Sequence, residues 1–108
     1  DYYMYFNDYQ CRAKETAVYP SEKALEYLAL GLASEAGEVA SIVSKWVRGD
    51  KGEIDAENMK KELGDVLWFI SVMASELKLD LSDVALYNTL KLADRAERGV
   101  IKGDGDNR

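Results

Sequence analysis

Two short segments of this 108-residue sequence repeat one acidic pattern. EAGEV contains Glu35 and Glu38, and ELGDV contains Glu62 and Asp65, with a glycine inside each pair. Acids three residues apart share one face if their segment is helical. Four carboxylates brought close together would repel one another strongly unless a cation lay among them. An oxygen-only ligand set of this kind favours Mg²⁺, with Mn²⁺ as a substitute.

Helical periodicity predicts the elements that would carry the two pairs. Residues 22–47 and 55–79 each show apolar positions spaced by three and four, and a short glycine-containing loop joins them. A short loop makes such helices antiparallel neighbours, so the two acidic pairs can converge at one rim. The apolar positions expected to face the seam are Leu25, Leu28, Leu32, Ala36, Val39, Val43 and Trp46 in the first segment and Met59, Leu63, Val66, Ile70, Met73 and Leu77 in the second.

A single acidic pair of this spacing is normally just a solvated helix face. Three features favour a metal site here: the pattern is repeated, each pair lies at the edge of an apolar face, and each encloses a glycine. A glycine in mid-helix costs about 1 kcal/mol relative to alanine. We therefore expect Gly37 and Gly64 to permit close approach of another helix or of a ligand.

The whole sequence predicts one all-α domain over residues 1–108, a four-helix bundle-like fold. The predicted helices are 2–17, 22–47, 55–79 and 83–98, and the tail 99–108 is expected to be a loop. Ser21, Asp55 and Ser82 are the predicted N-terminal caps of the last three helices, and Gly99 is the predicted stop of the last one. A chain this short buries little surface alone, which favours association with further copies.

Composition excludes several classes of function. Hydrophobic residues make up 47% and charged residues 31% of the chain, which is typical of a globular protein. The net charge of −6 argues against nucleic acid as a partner. The sequence has no histidine and a single cysteine, Cys11, so histidine-based catalysis and disulfides are not expected. No apolar run suits a membrane span and no signal peptide is recognised, so a cytoplasmic location is expected.

Basic residues supply a second candidate site. Asn88, Lys91, Arg95 and Arg98 share one face of the last predicted helix and could hold phosphate oxygens. From spacing alone, a surface stripe neutralised by Asp94, Glu97 and Glu76 is the favoured interpretation. Lys45 and Arg48, beyond the first acidic pair, could reach phosphates or could complement the C-terminus of their helix.

These residues together resemble the MazG-like branch of the all-α nucleoside triphosphate pyrophosphohydrolases. The resemblance is carried by the two acidic motifs within LGLASEAGEVA and KKELGDVLWFI, by the opening YQCRAKETAVYP and by the closing RGVIKGDGDNR. It implies a helical fold that places Glu35, Glu38, Glu62 and Asp65 around Mg²⁺. It also implies cleavage of a nucleoside triphosphate between the α and β phosphates, deoxynucleotides being favoured, by a homodimer or homotetramer that serves nucleotide pool control.

Within that expectation, one of the four acids must act as the catalytic base or orient the water, because no histidine is available, and Glu38 is the predicted one. Lys45, Lys91 and Arg95, with Asn88 nearby, are the predicted substrate-binding residues. Two alternatives stay open: a non-catalytic helical adaptor whose acidic rim binds a basic partner, and an enzyme of the phosphoribosyl-ATP pyrophosphohydrolase type.

Overall fold

The structure is a computed structural model that describes residues 3–108. Within that range the chain forms four α-helices: α1 (Phe6–Glu15), α2 (Ala24–Arg48), α3 (Ala56–Glu76) and α4 (Leu81–Arg98). A single 3₁₀ turn, Ser21–Lys23, precedes α2, and no strand occurs in the described residues. The all-α prediction is therefore confirmed. None of the helices between residues 3 and 108 is both long and apolar enough to cross a membrane.

Two predicted helix ends are confirmed in detail. The Asp55 side chain caps α3 by accepting hydrogen bonds from the backbone N–H groups of Glu57, at 3.0 Å, and Asn58, at 3.3 Å. Gly99 ends α4 in the left-handed conformation with φ of 72°, which a glycine adopts without strain. The predicted first helix includes residue 2, which lies outside the described residues; α1 begins at Phe6.

The capping predictions for Ser21 and Ser82 are wrong. Ser21 lies in the 3₁₀ turn, and α2 begins only at Ala24 without a side-chain cap. Ser82 lies inside the first turn of α4, which begins at Leu81. Side chains of α1 satisfy the free N–H groups there: Gln10 Oε1 accepts from Leu81 N at 2.8 Å, and Asn7 Oδ1 accepts from Ser82 N at 3.1 Å.

The third helix is the centre of the packing. It lies against α2 along most of its length and also contacts α1, while α4 packs on α1 and α3. Among the described residues, α4 makes no contact with α2, so one chain alone does not close a four-helix bundle. The buried core is correspondingly small, with Ala13, Leu28 and Val72 at its centre.

The faces predicted to be buried are only partly covered. Leu63 of α3 and Leu77, which directly follows that helix, are about half exposed (53% and 50%), whereas Ser71, Val72 and Ala74 are buried instead. In α2, Leu28 is fully buried but Leu25 and Trp46 are each 45% exposed. The difference arises because α1 covers α3 from a side that helical periodicity does not reveal, and because α4 leaves α2 uncovered.

Gln10 connects α1 to the turn between α3 and α4. Its buried amide Nε2 donates to Leu79 O at 2.9 Å and to Ser75 Oγ at 3.1 Å, while Oε1 accepts from Leu81 N. A buried polar side chain is stabilising only when it is satisfied, and Gln10 is satisfied on both sides of its amide. Together with Asn7, this side chain therefore ties the start of α4 to α1.

Close contact between α2 and α3 depends on Gly31. A Cβ atom at Gly31 would collide with the ring of Phe69, so the ring lies directly on the backbone of α2. Phe69 also contacts Trp68 edge to face, with ring centroids 4.9 Å apart, and Tyr27 at 6.2 Å. The Trp68 indole donates to Thr16 Oγ1 at 2.8 Å, which holds this aromatic group against the segment after α1.

We expect Gly31→Ala to destabilise the protein by about 1–3 kcal/mol, because the added methyl group must displace the Phe69 ring. Urea unfolding followed by circular dichroism measures the change. Gly37→Ala in the same helix is the matched control, since nothing lies within 4 Å of its Cβ position and alanine is the better helix former. Equal effects of the two substitutions would contradict a close contact at Gly31.

Candidate metal centre

The hairpin of α2 and α3 brings three of the predicted acids together. One carboxylate oxygen from each of Glu35, Glu62 and Asp65 lies within 4.8 Å of the other two. Glu35 and Glu62 are half-buried and Asp65 is exposed, so the group lies at the rim of the helix seam. Each of the three acids lies within the length of a regular helix, so the backbone that carries its side chain is fixed. The arrangement offers hard oxygen donors from two rigid elements.

The position of the acids is set by the contact between Gly31 and Phe69. Glu35 lies four residues after Gly31, and Asp65 lies four residues before Phe69. Residues four apart share a helix face, one turn from each other. Since α2 and α3 run antiparallel, one turn forward in α2 and one turn backward in α3 lead to the same level. The close contact thereby sets the register in which Glu35 meets Asp65.

The acidic group holds carboxylates of the same charge close to one another, and they repel. The pKa of Glu35 is raised above its ordinary value of 4.5, first by burial and then by the charges of Asp65, Glu62 and Glu38. Crowded carboxylates favour either protonation or a bound cation. Three oxygen donors at this separation suit a hard divalent ion that completes its shell with water or ligand oxygens, as Mg²⁺ does. The donor set therefore fits Mg²⁺ or Mn²⁺.

Glu38, the fourth predicted ligand, is not part of this close group. It is exposed, one helical turn beyond Glu35, and near enough to raise the pKa of Glu35. For the two glycines, the expected approach of another helix is wrong, whereas the expected approach of a ligand stays a prediction. Within residues 3–108, no atom outside their own helices lies within 4 Å of a Cβ position at Gly37 or Gly64, so no other helix of this chain approaches them. Both positions face open space.

Tyr9 of α1 is close enough to the acidic group for the charge of Asp65 to act on its phenol. Its ring packs, partly buried, against the core residues Ala13, Leu28 and Val72. Burial and then the charge of Asp65 raise the pKa of the Tyr9 phenol above 10.0. The sequence carries no signal for this proximity, because it depends on how α1 packs against α3.

The predicted basic residues separate into two regions. Lys45 lies at a groove of about 140 Å³ between the end of α2 and the start of α3, beside Trp46 and Lys51. Arg48 pairs instead with Asp50, Nε to Oδ1 at 2.9 Å, just after α2 ends.

Lys91 and Arg95 do come together on α4, around a partner that sequence spacing does not predict. Asp106 Oδ1 accepts from Lys91 Nζ at 2.6 Å and from Arg95 Nη2 at 3.0 Å. Arg98 pairs with Asp94 as expected, at 2.9 Å, and Asn88 is exposed. Glu76, however, does not neutralise this stripe: it accepts a hydrogen bond from Tyr19 and pairs with Lys14 at 3.6 Å.

The burial of Arg95 contradicts the interpretation that the basic residues of α4 form a surface stripe. Only 5% of this residue is exposed, so it is a buried charge rather than a solvated one. Its guanidinium reaches the tail through both the main chain and the side chain of Asp106. A glycine-rich tail in a loop has no periodic signal, so this pairing could not be found from sequence spacing.

Comparison with known proteins agrees with this geometry. The sequence model of the MazG nucleotide pyrophosphohydrolase domain matches residues 23–100, which include all of α2, α3 and α4. The chain is also 43% identical to the Gene 37 protein of Mycobacterium phage L5, over 97% of this chain and 100% of that protein. No solved structure matches the chain significantly. The paired acidic motifs, their convergence on one helical hairpin and the extent of the match show that this chain belongs to the MazG nucleotide pyrophosphohydrolase family.

Proposed function

We propose that this protein hydrolyses nucleoside triphosphates to the monophosphate and pyrophosphate in the presence of Mg²⁺, and that deoxynucleotides are its preferred substrates. The observation that carries the proposal is the convergence of Glu35, Glu62 and Asp65, in a chain of the MazG family. Control of the deoxynucleotide pool is the cellular role that this reaction would serve. Mn²⁺ is the expected substitute for Mg²⁺ because it accepts the same oxygen donors.

The three clustered acids would hold the metal, and other residues of the chain would supply the remaining chemistry. A bound Mg²⁺ supplies neutralisation of phosphate charge and a more acidic water. Glu35, Glu62 and Asp65 would fix the place of that charge, because two packed helices hold them at the rim of the seam between α2 and α3. Since Asp65 is exposed, a polyphosphate can reach the group from solvent.

Glu38 is the proposed catalytic base. It lies outside the close group but one turn from Glu35 and exposed, which suits a carboxylate that must accept a proton from the attacking water. The predicted role of Glu38 as a fourth ligand competes with this one, because an oxygen engaged by a metal is a weaker proton acceptor. General base catalysis by a placed carboxylate contributes typically about 10²–10⁴-fold to a rate.

Lys45, Lys91 and Arg95 are the proposed phosphate-binding residues, with Asn88 beside the last two. Lys91 and Arg95 already act together on one carboxylate oxygen, which is how two cations would hold a phosphate oxygen. Lys45, near the C-terminal end of α2, lies beside the exposed Trp46 in a groove that also carries Lys51.

We further propose that the protein assembles as a homo-oligomer, a dimer or a tetramer. Leu30 of α2 is 72% exposed, and Leu86 and Leu90 of α4 are 56% and 60% exposed. These helices do not contact each other within the described chain, so each presents an apolar face without a cover. Burial of such faces against further copies would be favourable by about 25 cal/mol per Å².

The reaction is tested by incubating the protein with each common deoxynucleoside and ribonucleoside triphosphate, with Mg²⁺ or with EDTA. We expect monophosphate and pyrophosphate, resolved by ion-exchange chromatography, only when Mg²⁺ is present. Glu38→Gln should lower kcat by about 10²–10⁴-fold. Diphosphate and free phosphate as products would place the cleavage at another bond.

Glu57→Gln is the matched control for that substitution. Glu57 is an exposed acid of α3 whose side chain pairs with Lys60, at 3.1 Å, away from the clustered acids. Loss of the Glu57 charge should leave kcat unchanged. Phosphoribosyl-ATP is included in the same panel, and turnover of this compound alone would assign the second type of enzyme. Equal loss of activity in both variants would remove the special role of Glu38.

Metal binding is tested separately from hydrolysis through stability. Because the pKa of Glu35 is raised in the folded protein, its contribution to stability is present at low pH and is lost as pH rises above 4.5 through the folded pKa. At pH 7 without metal, Glu35→Gln should therefore raise the Tm. In the parent protein, Mg²⁺ at about 100 times its Kd should stabilise by about 2.7 kcal/mol.

The same variant should lose most of the Mg²⁺ effect on Tm, whereas Glu57→Gln should keep it. Differential scanning calorimetry in Mg²⁺ and in EDTA gives both values. An unchanged Tm in the parent protein on adding Mg²⁺ would leave the three carboxylates as surface charge.

Assembly is tested by size-exclusion chromatography with light scattering. We expect the parent protein at twice or four times the mass of one chain, and Leu90→Asp shifted towards a single chain, because a charge on an apolar interface is poorly tolerated. Thr89→Asp adds the same charge one residue away, at a polar exposed position of α4, and should not shift the mass. A parent protein at the mass of one chain would contradict the proposed assembly.

A further inference from the structure

The C-terminal tail of the chain is folded back onto the basic residues of α4. Asp106 provides one carboxylate oxygen to both Lys91 and Arg95, at 2.6 and 3.0 Å. The side chain of Arg95 is 7% exposed and that of Lys91 is 28% exposed, whereas that of Asp106 is 77% exposed. An accessible anion therefore rests on two cations that belong to the body of the protein.

Other contacts close the tail through main-chain carbonyls. The Arg108 guanidinium donates to the main-chain carbonyls of Val100 at 3.1 Å, Ile101 at 2.9 Å and Gly105 at 2.6 Å. Arg98 Nη2 donates to Arg108 O at 2.5 Å. Arg95 Nη2 also donates to the main-chain carbonyl of Asp106. The carboxylate of Asp106 is thus the charged part of the tail that neutralises Lys91 and Arg95, and the main-chain contacts of the three arginines hold the loop around it.

The bond between Asp106 and α4 is of a kind that another anion can replace. Lys91 first, and then Arg95, lower the pKa of Asp106 below 3.8, so it is ionised at neutral pH. The Asp106 carboxylate is itself largely exposed, so water and salt screen its attraction to both cations. A phosphate group offers more oxygens and more charge to the same lysine and arginine than one carboxylate does.

We propose that Asp106 is an internal anion occupying the Lys91–Arg95 site, and that phosphate groups of a nucleotide or of pyrophosphate displace it and release the tail. The inference rests on the proposed function, because it assumes that Lys91 and Arg95 receive substrate phosphates. The tail thereby acquires a role: the site is neutralised when empty of ligand, and each ligand that enters must compete with Asp106.

The first test measures the affinity for inorganic pyrophosphate by isothermal titration calorimetry, in EDTA and at constant ionic strength. Asp106→Asn should bind pyrophosphate roughly 2- to 5-fold more tightly than the parent protein, the range expected when one largely exposed carboxylate no longer competes for the two cations. Asp104→Asn is the matched control, since it removes the same charge from the same tail but Asp104 makes no hydrogen bond or ion pair with the described residues. It should leave the affinity close to that of the parent.

Equal effects of the two substitutions would mean that only general charge matters, and would overturn the proposal. Unchanged or weaker binding by Asp106→Asn would overturn it as well, because Asp106 would then support the site rather than occupy it. No pyrophosphate binding by any of the proteins would refute both this inference and the phosphate role of Lys91 and Arg95. Since no hydrolysis is measured, failure of the metal centre leaves the result unaffected.

The second test detects release of the tail itself. Trypsin cleavage after Lys102 removes residues 103–108 and is followed by mass spectrometry. Pyrophosphate should accelerate this cleavage in the parent protein, and Asp106→Asn should be cleaved at the faster rate without pyrophosphate. The variant also reports any direct effect of pyrophosphate on trypsin. Slower or unchanged cleavage of the parent protein on adding pyrophosphate would show that ligand and tail do not compete.

Discussion

The close approach of α2 to α3 at Gly31 is the constraint on which the rest of the structure depends. The Phe69 ring lies on the glycine backbone, and one turn away in each helix stand Glu35 and Asp65. A larger residue at position 31 would separate the helices and would lengthen the distances between the acids of α2 and those of α3. The site is therefore built on two packed helices rather than on loops, and its precision is a consequence of packing.

Repulsion among the clustered carboxylates destabilises the folded chain that brings them together. Burial and neighbouring charges raise the pKa of Glu35, which means that the ionised state is less favourable in the folded chain than in the unfolded one. The core at Ala13, Leu28 and Val72 is small, so little stability is available to offset this repulsion. A bound cation at the acids would act in the favourable direction, and so would association with further copies at the uncovered apolar faces.

Local signals predict local structure well in this chain. The repeated acids, the Asp55 cap and the Gly99 stop each depend on residues within about one helical turn, and the structure shows the cap and the stop as expected. Contacts between residues distant in sequence carry no such signal. Ser82 loses its capping role to side chains of α1, and Arg95 finds its partner in the tail. In both cases a hydrogen-bond acceptor supplied by tertiary packing replaces the acceptor expected nearby in sequence.

The contacts made by Gln10 bear on the order in which the molecule assembles. The acidic group joins positions 35 and 62 on one hairpin. Gln10 instead bonds to Leu79 and Leu81, which follow it in the chain by 69 and 71 positions. Closing a longer loop costs more entropy, and contacts near in sequence form sooner. The hairpin of α2 and α3 is thus favoured to form early in folding, with α1 docking afterwards. A nascent hairpin would already carry its three carboxylates before the rest of the chain has been fixed in place.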